Sequence, residues 1–146
     1  TMISQSAEYA LRAVVLLAEH PEVTLSTPEI ARRTMVPAGY LSKVLQALAR
    51  AGLVVSSPGR TGGFVLARPP DRISVLQVIN GVEQLPRIDR CPLGMEAHGQ
   101  NLCPLHKRLD DVAAHAERVF AETSVADLVK EGGSGGVLCE TVRCLT

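Results

Sequence analysis

The order of periodic segments in the first half of the chain limits its fold more than any other feature. Leu11, Val14, Val15 and Ala18 recur at helical spacing, with Ala7 and Ala10 leading in, and predict an amphipathic helix over residues 5–19, ended by Pro21. Ser26-Thr27-Pro28-Glu29 opens a second helix: Ser26 or Thr27 can cap, Pro28 suits the first turn and Glu29 complements the helix dipole. That helix is short, ending near Met35. Val36-Pro37-Ala38-Gly39 supplies a turn, and Leu41, Val44, Leu45 and Leu48 carry a third helix from Tyr40 to Ala51, stopped by Gly52. Two β-type runs follow, Leu53 to Ser56 and Phe64 to Ala67, split by Pro58-Gly59-Arg60-Thr61-Gly62-Gly63, whose glycines permit a hairpin turn. Helix, tight turn, helix and hairpin together predict a mainly α fold with a small β wing, a winged helix-turn-helix.

Beyond Pro69 and Pro70, Ser74 with Gln77 three residues on resembles a capping box opening a helix through Val75, Val78 and Ile79. Residues 84–103 then lose all periodicity, the pattern of a functional or a disordered loop, and hold two cysteines and a histidine. From Pro104 to Thr123, Leu105, Leu109, Val112, Ala116, Val119 and Phe120 form one apolar stripe, with Lys107, Arg108, Asp111 and Glu117 elsewhere on the surface. So small a domain offers that stripe few partners, and pairing with its copy in a second subunit predicts a two-fold homodimer suited to palindromic DNA. Ser124 and Asp127 start one more short helix, to about Glu131, and Gly132-Gly133-Ser134-Gly135-Gly136 reads as a linker to a tail with Cys139 and Cys144. The expected organisation is a winged helix-turn-helix DNA-binding domain over residues 1–83 and a cofactor-binding or sensing loop over 84–103. A dimerisation helix with its short successor over 104–131 and a flexible tail over 132–146 complete it.

The net charge of zero hides a polarity. Residues 1–72 carry eight bases against five acids, whereas the remainder carries seven against ten. The basic half is the half with the helix-turn-helix, as phosphate neutralisation requires. No run approaches the roughly 20 apolar residues of a membrane span, and a signal-peptide pattern is absent, so a cytoplasmic location is expected. There the cysteines are thiols or metal ligands rather than disulfides.

In such a module the second helix of the pair enters the major groove and the wing reaches toward phosphate or the minor groove. Tyr40, Ser42, Lys43 and Gln46 are the candidate readers, with Arg60 at the wing tip. The plainer alternative packs Tyr40 against helix two and leaves the charges solvating the surface. Double-stranded DNA is the partner the combined pattern implies.

Glu8-Tyr9-Ala10-Leu11-Arg12, the segment Gly39-Tyr40-Leu41 to Leu48, the strand Leu53-Val54, the wing Gly59-Arg60-Thr61-Gly62-Gly63-Phe64, and Cys91 to His106 leading into a long helix are together similar to one family. The chain, from about Met2 to Val129, resembles the Rrf-type winged-helix transcriptional regulators that include IscR, NsrR and CymR. The resemblance implies a homodimer crossed by its long helices, a repressor in expectation and an activator in alternative, and an iron-sulfur cluster in several members. Cys91 and Cys103 match the outer pair of a cysteine triplet, and Ala97 and His98 stand about where the middle one falls. His106 matches a position of imidazole ligation and Glu8 one of carboxylate ligation from the partner subunit. Mixed Cys and His ligation suits a two-iron cluster.

Alternatives stay open at this level. Cys91, Cys103, His98 and His106 also make a tetrahedral zinc set, though without a Cys-x-x-Cys knuckle. The cysteines can be small buried hydrophobes, His106 solvated, and Glu8 favourable merely at a helix N-terminus. The resemblance to CymR-like members then implies the alternative of a cofactor-free regulator controlled by a protein partner. A thiol redox enzyme is disfavoured, since no Gly-rich phosphate loop, Ser-His-Asp set or Cys-x-x-Cys redox spacing is present.

Overall fold

Every segment predicted to be helical is helical in the computed structural model, which describes residues 2–94 and 102–132. The elements are α1 (Gln5–Glu19), α2 (Thr27–Thr34), α3 (Ala38–Arg50), β1 (Val54–Ser57), β2 (Gly63–Leu66), α4 (Val75–Val82), α5 (Pro104–Glu122) and α6 (Val125–Gly132). Short polar side chains set the starts. Ser4, Ser26 and Ser74 cap α1, α2 and α4 by accepting the backbone N–H of Ala7, Glu29 and Gln77, and the Ser74 N–H donates in return to Gln77 Oε1. A three-residue 3-10 turn, Pro70–Arg72, precedes α4.

The first helix departs from the amphipathic expectation. Ala13 to Ala18 are buried at six successive positions, so no face of that stretch is left to water. The reason is its placement: α2, α3, α4 and α6 all pack around it. Leu17, Ile30, Leu41, Leu45, Leu48, Leu53, Ile73 and Val125 fill the resulting core with essentially no exposure. Burying a leucine of this kind contributes on the order of 2 kcal/mol, and the close packing fixes how α3 is presented.

The helix-turn-helix bend is made by Met35, in the left-handed conformation at φ 57°, followed by Pro37 at the start of α3. The third helix thus begins two residues ahead of Tyr40. The wing is antiparallel, with Val54 opposite Leu66 and Ser57 opposite Gly63. Its return strand is tied to the body by Leu25, which exchanges backbone hydrogen bonds with Phe64 at 2.8 and 3.1 Å.

After α4 the chain runs to α5, in which no residue is buried. The Val125 N–H donates to Ile73 C=O and Val75 N–H to Thr123 C=O, both at 2.8 Å, which draws α6 back onto the core. Its Leu128 and Val129 pack there. The long helix is therefore fastened at its C-terminal end to the winged domain while Leu105, Leu109, Val112 and Val119 remain 46–63% exposed.

Candidate nucleic-acid interface and cysteine site

Ser42, Lys43 and Gln46 lie exposed on α3, and Arg60 is exposed in the wing loop between Gly59, at φ +98°, and Gly62, whose N–H donates to Gly59 C=O. Tyr40 is 40% exposed and is held by α1 rather than by α2: its ring meets Tyr9 edge-on at 5.2 Å, and its hydroxyl bonds Ser6 Oγ at 2.7 Å. Tyr40 and Lys43 line one open groove with Ser6, Val44, Ala47 and Val82. The expected readers therefore share the solvent side of the third helix, with Tyr40 orienting its N-terminal end.

Arg12 is a junction the sequence did not announce. Its Nε donates to Glu8 Oε1 at 3.1 Å, its Nη1 donates to Thr34 C=O at 3.2 Å, and its guanidinium stands 5.4 Å from the Tyr9 ring centre. It links Glu8 to the end of α2, beside the bend of the helix-turn-helix. The Glu8 carboxylate is 44% exposed.

At the head of α5, Cys103 is the N-cap residue and Pro104 opens the helix. Cys103 Sγ lies 3.1 Å from His106 Nδ1. The two side chains, one turn apart, are hydrogen-bond partners, and cysteine sulfur and imidazole are donor types that suit iron in an iron-sulfur cluster as well as zinc. Cys91 is half-buried, three residues beyond Ile88. Among the described residues no group of three or more metal-ligating side chains is gathered. His98, Cys139 and Cys144 lie outside the described residues.

The segment before Cys91 is fastened by a cluster that periodicity could not reveal. Arg87 donates to both oxygens of Asp110, from Nε at 2.7 Å and Nη2 at 2.9 Å, and to Glu117 at 2.9 Å. The Ile88 N–H adds a third bond to Asp110 at 2.9 Å. Arg87, then Ile88, hold the Asp110 carboxyl at about 2, well below its ordinary range. Glu117, expected on the surface away from the apolar stripe, is one of the partners.

A helix-turn-helix with a wing, its third helix offering polar side chains to solvent, defines a winged-helix DNA-binding regulator. The sequence matches the Rrf2 family, described as "Iron-dependent Transcriptional regulator", over residues 3–131, and the chain belongs to that family. It is 28% identical over 129 residues to the HTH-type transcriptional regulator IscR of Xenorhabdus nematophila, a match covering 88% of this chain and 79% of that protein. Among solved structures it is similar to T. potens IscR, with a TM-score of 0.75 and 28% identity over 91% of this chain and 89% of the other. It is also similar to CymR, the global cysteine regulator of B. subtilis, with a TM-score of 0.72 and 29% identity over 88% and 96%. The family is one of transcriptional regulators and not of enzymes. No helix among the described residues is long and apolar enough to cross a membrane.

Proposed function

We propose that the protein is a cytoplasmic homodimeric repressor whose affinity for a palindromic operator depends on whether Cys91 and Cys103 ligate an iron-sulfur cluster. The observation that carries this reading is the 3.1 Å approach of Cys103 Sγ to His106 Nδ1 at the head of an exposed helix. Cys91, Cys103 and His106 would hold the cluster, with Glu8 from the partner subunit completing the set. Bound there, the cluster supplies an electron-accepting, oxidant-sensitive group. The exposed Leu105, Leu109, Val112 and Val119 supply the pairing surface, so that two third helices face successive major grooves. Glu8 bonds Arg12, and Arg12 bonds the end of α2, so a change at Glu8 bears on the helix-turn-helix directly. Ligation at the cysteines then shifts the population of DNA-competent dimers.

The test uses duplexes selected from a random library by the full chain. Lys43→Ala and Arg60→Ala are each expected to weaken binding about tenfold and to lower the salt slope by about one. Cys91→Ala with Cys103→Ala is expected to abolish the difference between protein purified with and without air. Unchanged DNA affinity in all of these variants would overturn the reading. A second reading is the same DNA-binding dimer without a cofactor, controlled by a protein partner; it is favoured by the lack, among the described residues, of a group of three or more metal-ligating side chains. Absence of iron and zinc from anaerobically purified protein selects it.

A further inference from the structure

We propose that Arg87 and Asp110 are positioning residues for the cysteine pair, tying the segment that leads into Cys91 to the helix that carries Cys103. This deepens the reading of Cys91 and Cys103 as ligands and rests on it. Asp110 accepts three hydrogen bonds from the incoming segment, two from Arg87 and one from the Ile88 backbone, and Arg87 spans on to Glu117. Cys103, Asp110 and Glu117 recur at seven-residue intervals, so they fall on one stripe of α5, with His106 beside it. Thiol, imidazole and both clamping carboxylates thus share one side of the helix. Its apolar residues, Leu105, Leu109, Val112 and Val119, lie about a third of a turn away.

Reach sets the consequence. The two turns from Cys103 to Asp110 amount to about 10 Å of helix axis. The three residues from Ile88 to Cys91 span at most about 10 Å. Pinned at Ile88, the chain is long enough to bring Cys91 to the first turn of α5, and the clamp ties the segment entering Cys91 to the helix that begins at Cys103. Such a tether raises the effective concentration of one thiol at the other. Bidentate pairing of guanidinium with carboxylate fixes direction as well as distance. An exposed ion pair adds little to stability, so three bonds onto one carboxylate from an otherwise unpatterned segment point to placement.

The test treats the reduced full-length chain with dibromobimane, follows the Cys91–Cys103 cross-linked peptide by mass spectrometry, and records thermal melting alongside. Arg87→Ala and Asp110→Ala are expected to slow cross-linking about tenfold with the melting of the helical core retained, and Arg87→Asp combined with Asp110→Arg to recover part of the rate. Rates within about twofold of the parent in both single variants would overturn the proposal. Iron and sulfide uptake under anaerobic reconstitution is read on the same proteins. If the parent takes up neither iron nor zinc while the variants still cross-link slowly, the ligand reading fails and the clamp stands. If parent and variants load and cross-link alike, the clamp fails and the ligand reading stands.

Discussion

The Tyr40 hydroxyl, at the N-terminal end of α3, is hydrogen-bonded at 2.7 Å to Ser6 Oγ, in the first turn of α1. Tyr9 packs edge-on against the same ring, and Gln5 Nε2 donates to the Tyr9 hydroxyl at 2.8 Å. The start of the third helix is thus set by the first turns of α1, where Glu8 also lies.

That relationship predicts an energetic coupling between Ser6 and Tyr40. In a double-mutant cycle of Ser6→Ala and Tyr40→Phe, urea denaturation should give a coupling of about 0.5–1 kcal/mol, as for a partly solvated hydrogen bond. DNA affinity should fall in Tyr40→Phe and partly in Ser6→Ala. Strict additivity in stability would show that the bond does not form in solution.

Gly63 holds the wing against the body because a Cβ there would run into the Leu25 carbonyl, the partner of Phe64 N–H. Gly63→Ala should cost about 2 kcal/mol and weaken DNA binding by displacing Arg60 with the wing. The matched control is Gly39→Ala, where a Cβ meets nothing within 4 Å. Equal melting temperatures for the two variants would contradict the packing described.

Val112 is 62% exposed in the single chain, on the apolar face of α5. Val112→Glu should therefore leave the fold intact while shifting the dimer to monomer in analytical ultracentrifugation. A dimer of unchanged affinity would place the pairing surface elsewhere.

Asp110 offers a pH-dependent signature of the clamp. Its folded value, about 2, lies below the ordinary 3.8 because Arg87 bonds it, so its contribution is whole above the ordinary value and lost as pH falls through about 2. Carboxyl-carbon NMR should find Asp110 titrating near the lower value, and Arg87→Ala should return it toward the ordinary range. An ordinary midpoint in the parent would remove the clamp.

The local elements were legible because local chemistry makes them. The apolar spacing from Ala7 to Ala18, the Ser74–Gln77 capping box and the glycine-rich wing loop each carry their own signal within a few residues. The bend before α3 was displaced by two residues, since Pro37 and Ala38 suit a helix start as readily as a turn. What joins distant segments was not legible. The Leu25–Phe64 pairing is a single isolated bridge with no alternating pattern behind it. Arg12 with Thr34 and Arg87 with Asp110 are charged residues 22 and 23 positions from their partners, and periodicity scores such residues as surface. At the cysteine site, the spacing of Cys103 and His106 on a helix start was readable. The carboxylates in register with Cys103 would have been the clue to the clamp.

Cluster ligation by Cys91 and Cys103 is read out by the ultraviolet-visible spectrum, with iron and acid-labile sulfide assays, of protein purified anaerobically from iron-replete cells, beside Cys91→Ala with Cys103→Ala. A visible sulfur-to-iron absorption with about two irons and two sulfides per chain, lost in the double variant, is the expected result. A colourless parent without iron or sulfide would contradict it.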